Sequence, residues 1–482
     1  MANWRSSINS ASIGGNAIQL NIDLFAKTIM GVAGLSFFLI SIVLFKSPFP
    51  AMLVFLSIAV LVVLCSKPKR LLLFLVIYSL VVKFLINDLG VPPIANYVCD
   101  ALLLLTVFFS LRNHREGYVP HGRFRLLGLS IAVFWFVATI SAALNDVSPM
   151  LYIWAVRNTF RVFGIMYCCV RLLDRRDVFR FLRFFVVLFW INVAVCTYQY
   201  FILGTDMDHT NGLFGTGAGA NAMTIIMMCF ITVVYLFGYS AHKIKLSGLL
   251  MTLAACCYLA AIAELKFYFV VLVILVALNI LLNSPTLRTF IVLIIALTSL
   301  LIGIGLLEAY NPEFTGFYSF EGIVENNYEG GYGNSEGLNR LSAVKTLDDL
   351  FMDNSQKELL GYGFGAGQYT QFFESALYST WGETLHWTWF TDAAIFLETG
   401  YLGLSIYVLM FVLIAFSSLH VPRSCSDDKW FLRACATVAV FCIILIVYNC
   451  SLTVDPTCYF IGVLLSFYYI FTAGDSNDVS QA

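Results

Sequence analysis

The sequence predicts an all-α polytopic integral membrane protein of about 14 transmembrane helices, interrupted by one long outer loop with short helices of its own. Three observations predict it. Hydrophobic residues make up 60% of the 482-residue chain and charged residues only 12%, which is too little polar surface to clothe a soluble globule of this length. Apolar stretches long enough to cross a bilayer recur from end to end. Basic side chains concentrate in alternate connections, the pattern of a chain that crosses repeatedly with those connections inside.

The segment up to Asp23 is polar and lacks a cleavable-leader pattern. Spans are then expected near 25–45 and 48–66, closed by "KPKR" at 67–70. The next two, near 71–88 and 92–111, embed Lys83 and Asp100, which are candidate partners for one another. After "RNHREGYVPHGRFR" at 112–125 come spans near 126–145 and 150–172, the second running into "RLLDRRDVFRFLR" at 171–183. Spans near 184–204 and 219–238 flank "TDMDHTNGLFGTGAGANAM", whose Asp208, His209 and glycines suit close backbone approach and a helix N-terminus open to an anion. No "GK[ST]" follows, so it is not a nucleotide-binding loop. "HKIK" at 242–245 introduces spans near 246–264 and 267–283, joined by the tight reversal "AIAELKFYFVV", and a span near 289–307 completes an N-terminal membrane region, 1–307. A C-terminal membrane region, 392–482, holds spans near 392–419, 431–451 and 457–472, with "HVPRSCSDDKW" at 420–430 after the first. An even number of spans puts both termini inside and the loop 308–391 outside. Most of the 13 cysteines, Cys168, Cys169, Cys229, Cys256, Cys257 and Cys442 among them, lie in apolar runs without metal-type spacing and read as small packing residues.

The outer loop has 12 acidic residues between Glu308 and Glu383, against Arg340, Lys345 and Lys357. In "NRLSAVKTLDDLFM" the residues Leu338, Leu341, Val344, Leu347 and Leu350 recur about three apart, which predicts a short amphipathic helix and a folded cap rather than a tether. Within the membrane the informative residues are the ionisable ones, since each costs a few kcal/mol or more unless it is paired or faces a wet cavity. Arg157 and Arg161 in "YIWAVRNTFRVFGIMYCC" share a helix face, the first roughly 10 Å below the outer start of its span and the second roughly 6 Å deeper. They are either structural ion bridges to carboxylates on other spans or guanidiniums aimed at an anionic group. Lys266, beside Glu264 in the reversal, is either an interfacial anchor or part of the same anion site. At the re-entry "LHWTWFTDAAIFLETGYLGL", His386, Asp392 and Glu398 are candidates for proton transfer; His386 is alternatively a hydrogen-bonded interface residue.

A buried arginine pair in a middle span, a Gly-rich outer loop, an "ExK" reversal, and an outer loop with Arg340 followed by "GYGFGAG" at 361–367 and "ETGYLGL" at 398–404 together resemble the bacterial O-antigen polymerase and O-antigen ligase superfamily. The resemblance is strongest over 150–404. It implies a GT-C-like arrangement in the bacterial inner membrane, with both termini cytoplasmic, 308–391 periplasmic, and inverting glycosyl transfer from an undecaprenyl-pyrophosphate-linked oligosaccharide to a hydroxyl of an acceptor glycan. It further implies metal-independent chemistry with no cofactor, a chain-length regulator and a flippase as partners, and no nucleic acid. On that reading Arg157, Arg161, Lys266 and Arg340 hold the pyrophosphate, since something cationic must replace a metal as the leaving group gains charge. His386 is the first choice of base, then Glu398, which also suits bracing the turn before Gly400, then Asp392. Tyr328, Tyr332, Tyr362, Phe364, Tyr369 and Trp381 are candidates for stacking on sugars. In the ligase branch a His stands at what corresponds to position 389, counted back from Gly400; here that residue is Trp389, a departure that favours the polymerase branch. The alternatives are an O-antigen ligase, which would present a basic loop to anionic lipid A core, and a lipid-linked oligosaccharide transporter, which would show repeated halves.

Overall fold

A computed structural model describes residues 67–112, 122–217, 221–283, 286–310, 312, 317–328, 337–370, 373–454 and 457–473. Nearly all of these belong to one compact unit, Leu72–Ala482; of the other unit, Met1–Leu71, only 67–71 are described. The expected spans near 25–45 and 48–66 therefore lie outside the described residues, as does most of the loop 112–125.

The described chain is helical, its only β-pairing a single bridge between Tyr369 and Glu374. In order come α1 (Pro68–Asn87), α2 (Ala95–Arg112), α3 (Gly122–Leu144), α4 (Pro149–Leu172), α5 (Arg175–Tyr198), α6 (Asn221–Ser240), α7 (Leu246–Ile262), α8 (Lys266–Leu282) and α9 (Leu287–Tyr310). The segment 308–391 contributes α10 (Phe320–Asn327), α11 (Ala343–Phe351) and α12 (Ser355–Leu360), and the described chain ends in α13 (Thr391–Leu419), α14 (Lys429–Tyr448) and α15 (Thr457–Thr472). Every expected span that falls on described residues coincides with a helix. Eight helices, α1, α2, α3, α5, α6, α9, α13 and α14, are long and apolar enough to cross a membrane, and α7, α8 and α15 are shorter apolar helices. The chain is thus a multi-pass membrane protein by length and composition. α4, which carries Arg157, Arg161 and Arg171, is outside both sets.

Local chemistry sets the helix starts. Pro149 opens α4, where a missing N–H costs nothing. Asp174 and Asp177 form a reciprocal cap at the start of α5, each carboxylate accepting from the other's backbone N–H. α6 is apolar on all sides and is accordingly buried almost throughout, whereas α9 lies at the periphery with most of its surface exposed. α13 packs on α3, α12 and α14; α4 packs on α2 and α15; α6 is surrounded by α7, α8 and α14.

The basic connections gather at one end of the bundle. Arg123 Nη1 donates to the Ser417 carbonyl and to the Tyr468 hydroxyl, both at 3.2 Å, Arg175 pairs with Asp428, and Arg433 Nη1 donates to Asn283 Oδ1 at 2.9 Å. The segment 308–391 covers the other end, where Ser141, near the close of α3, donates to the Leu360 carbonyl and Thr391, opening α13, donates to that of Asn449. Its apolar core, with Leu338, Leu347, Phe351, Tyr378 and Trp387, continues into Phe396 and Leu397 of α13. The cap is therefore folded onto the first half of α13. α11 buries Ala343, Leu347 and Phe351, while Leu341 and Leu350 are exposed. The expected stripe spaced by three is corrected to one spaced by four, because each step of three turns a 3.6-residue helix back by about 60°.

Candidate functional site

Arg157 and Arg161 meet Asp100 of α2. Arg157 donates from Nε and Nη2 to Asp100 Oδ2 at 2.9 and 2.6 Å, Arg161 Nη1 lies 3.6 Å from Oδ1, and the Tyr459 hydroxyl donates to Oδ1 at 3.1 Å. Asp100, expected to pair with Lys83, is instead the counter-ion of α4; a guanidinium offering two N–H groups to a carboxylate holds it better than a point-charge ammonium. Arg157 also lies over the rings of Trp154 and Tyr97, at 4.2 and 5.5 Å from their centroids. The ion bridge to another span, one of the two alternatives for this pair, is thus present.

A chain of hydrogen bonds carries the cluster into the glycine loop 361–368. Arg157 Nη1 donates to Asn158 Oδ1 at 2.8 Å, Asn158 Nδ2 to Gln368 Oε1 at 2.9 Å, and Gln368 Nε2 to Glu398 Oε1 at 2.8 Å. The Gly367 N–H donates to the same Glu398 oxygen at 3.2 Å, and Trp387 Nε1 donates to the Gly367 carbonyl at 3.0 Å. α4, the outer loop and α13 are joined through two amides, Asn158 and Gln368, that sequence reasoning missed. An uncharged amide raises no alarm in a hydropathy scan; the available signal was the position of Asn158 between two buried arginines. Gln368→Ala strips one hydrogen bond from Asn158 and one from Glu398, and is expected to cost about 1–3 kcal/mol. Thermal unfolding in detergent measures it, and the same cost in a Glu398→Gln background would show that the two side chains are not coupled.

The loop reaches this depth because two glycines let backbone touch backbone. Gly400 interrupts α13 with φ +63° and ψ −167°, and a Cβ there would lie 2.5 Å from the carbonyl oxygens of Glu358 and Leu359. Gly361 faces it with φ +72° and ψ −168°, and its Cβ would lie 2.5 Å from the Thr399 nitrogen. This backbone region is essentially reserved to glycine. The break frees carbonyls of the first half-helix, which find partners outside it: Leu397 accepts from the Tyr362 N–H at 2.9 Å and Glu398 from Ser141 Oγ at 3.0 Å.

Two of the expected cations, Arg161 and Arg340, reach the turn 449–454 that joins α14 to α15 or the residue before it. Arg161 Nη2 donates to the Thr453 carbonyl at 2.6 Å, and Arg340 lies over the Tyr448 ring at 4.7 Å. Tyr448 stacks on Phe267, the neighbour of Lys266, with centroids 3.3 Å apart. Lys266 closes the "ExK" reversal by pairing with Glu264 at 2.9 Å and lies 5.1 Å from the Phe317 centroid. Glu264 itself turns the chain with φ +55°.

Among the candidate proton carriers, Glu398 is 2% exposed and holds the glycine loop, and Asp392, 6% exposed, accepts from the Ala393 N–H at the start of α13. His386 occupies a left-handed turn at φ +54°, half-buried, its ring stacked on Trp389 with centroids 3.9 Å apart. Among the proposed sugar-stacking residues, Phe364 is a correction: it is fully buried against Phe134 and Tyr152, as the apolar anchor of the loop. Tyr362 donates to the Phe351 carbonyl, Tyr332 lies outside the described residues, and Tyr328, Tyr369 and Trp381 are exposed. Tyr369 stacks on Tyr378 with centroids 4.6 Å apart. Burial, with Glu383 adding to it, pushes the Tyr378 phenol up to about 12 and keeps it neutral.

The other glycine-rich loop makes the close backbone approach expected of it. It is a packing device: the Gly212 N–H donates to Gln199 Oε1, that of Leu213 to Asn192 Oδ1 and that of Thr216 to Asp88 Oδ2, and Asp208 accepts from Asn221. The N–H groups of Gly212, Leu213 and Thr216 are thus engaged by Gln199 and Asn192 and by Asp88 just after α1. Among the described residues no group of three His, Cys, Asp or Glu side chains is arranged to hold a metal ion. Comparison with protein-family models gives no match for the chain, and neither does a search of curated proteins.

Proposed function

We propose that this protein is a polysaccharide polymerase that joins undecaprenyl-pyrophosphate-linked repeat units by metal-independent inverting glycosyl transfer at the periplasmic face of the bacterial inner membrane. The observation that carries the reading is that Arg161 reaches the turn 449–454 and Arg340 lies over Tyr448, the residue before that turn, while Arg157 shares Asp100 with Arg161, at the end of the bundle covered by residues 308–391. These cations would stabilise the pyrophosphate as its bond to the anomeric carbon breaks, the kind of electrostatic term that often dominates such a step. The attacking group is a hydroxyl of the acceptor glycan, and His386 takes its proton. Geometry favours His386 over the two carboxylates, because Glu398 and Asp392 are buried while His386 keeps a solvent-facing edge. The stacking of His386 on Trp389 supports the superfamily resemblance, since it puts the imidazole against the position where the ligase branch has its His. Exposed Tyr369 and Trp381 offer faces for sugar rings. The acidic outer segment suits a neutral or cationic acceptor glycan better than anionic lipid A core, which favours a polymerase over a ligase.

Complementation of a deletion strain tests the reading. His386→Ala, present in the membrane at the parental level, is expected to lower polymer by about a hundredfold or more, the lower limit for a lost proton carrier, and Arg340→Ala to lower it as well, while single lipid-linked units accumulate facing the periplasm. Accumulation facing the cytoplasm would instead mean that the protein moves its substrate, and normal polymer without attachment to lipid A core would mean that it is a ligase.

A further inference from the structure

A cavity of about 290 Å³ opens at the basic end, between the first turns of α3 and the last turns of α4, far from the glycine loop. Arg125, Tyr167 and Arg171 stand at its outer rim, and Ile131, Phe163 and Met166 continue it inward. At 1.5 Å per residue, Ile131 lies roughly 9 Å below Arg125 along α3, and Phe163 roughly 12 Å below Arg171 along α4. The cavity is therefore cationic at the rim and apolar beneath. Arg171 is held in place, its Nη1 donating to the Tyr167 hydroxyl at 3.0 Å and its Nη2 directed at the Leu111 carbonyl at 3.5 Å. Arg125 is exposed. Gly128 lines the same cavity, and a Cβ on it would meet no atom within 4 Å. A side chain at position 128 would project into the open space. On the side of Arg125 opposite to Gly128 and Ile131, Leu129, Val133 and Phe136 of α3 are 61%, 43% and 64% exposed, a greasy strip that borders the cavity at Arg125.

We propose that this cavity binds the phosphodiester headgroup of an anionic phospholipid, with the acyl chains lying along the exposed strip of α3. The two guanidiniums take the phosphate oxygens, the Tyr167 hydroxyl adds a polar contact, and the apolar interior receives the glycerol backbone. A basic pocket between spans, on the side where basic loops collect, is where anionic headgroups of the inner leaflet are met. A free phosphate would satisfy the arginines but leave the apolar interior and the strip unused. The site is independent of the glycosyl-transfer reading and survives its failure.

Native mass spectrometry of the full chain, released from mixed micelles of phosphatidylcholine and phosphatidylglycerol, tests the proposal, with inorganic phosphate added in a parallel arm. The wild-type protein is expected to retain one phosphatidylglycerol preferentially. Arg125→Gln, at an exposed position, weakens that retention on the order of tenfold by removing a charge-assisted contact. Gly128→Leu fills the cavity and abolishes retention without lowering the thermal stability measured in phosphatidylcholine alone. Equal retention of the two lipids, or preferential retention that persists in both variants, overturns the proposal. Displacement of the bound lipid by millimolar inorganic phosphate also overturns it, by showing a site for free anions.

Discussion

Alanine at position 400 is expected to remove active protein from the membrane. Gly400 stands at φ +63°, ψ −167°, where a Cβ alone costs about 1–3 kcal/mol. The added carbon would also lie 2.5 Å from two carbonyl oxygens of the α12 turn, neither of which belongs to a flexible side chain that can move away. Relief requires α12 and the glycine loop to lift off α13, which breaks the Tyr362 N–H bond to Leu397, the Ser141 bond to Glu398 and the amide chain to the arginines. Gly305→Ala in α9, where a Cβ meets nothing within 4 Å, is the matched control and is expected to be neutral or slightly stabilising. Folded yield and thermal unfolding of the two variants in detergent decide the matter; comparable behaviour would mean that the loop is not seated on the helix break.

Asp100→Ala is expected to be nearly as damaging, by about 3–5 kcal/mol, because it leaves Arg157 without the carboxylate it chelates and withdraws the same carboxylate from Arg161, which is 4% exposed. The double variant Asp100→Ala/Arg157→Ala should recover part of that loss, since one of the stranded charges is gone. Recovery of stability without recovery of polymer would separate the structural part of the cluster from a part in binding the donor. If the double variant is no more stable than Asp100→Ala, the ion bridge is not what holds α2 to α4.

How far these features were legible in the sequence follows from what hydropathy can report. A long apolar run between basic loops constrains backbone hydrogen bonding so strongly that it must be a helix, and so helices stand from α1 onward where the composition puts them, eight of them long and apolar enough to cross a membrane. Arg157, Arg161, Asp100 and Glu398 were visible because charge in an apolar run is anomalous. Which charge meets which was not visible: Asp100 was matched with Lys83 by proximity along the chain, whereas the partner is decided by how α2, α4 and α15 pack. Asn158 and Gln368, the amides that bind the site together, carry no charge and left no mark. α13 reads as a single apolar run from 391 to 419, and nothing in the run tells Gly400, where it breaks, from Gly403, where it does not; its counterpart Gly361, lying in a loop already rich in glycine, had nothing to single it out. Phe364 looked like a sugar platform because a loop aromatic and a core aromatic are the same residue until the loop is seen to enter the core.

We propose that the protein joins lipid-linked units. The most direct test is the purified protein in liposomes, given a single undecaprenyl-pyrophosphate-linked repeat unit with a chelator present, with products resolved by size. A polymerase gives a ladder of longer lipid-linked glycans with inverted new linkages, lost in His386→Ala. A purified protein that moves the unit across the bilayer and leaves its length unchanged would contradict the proposal.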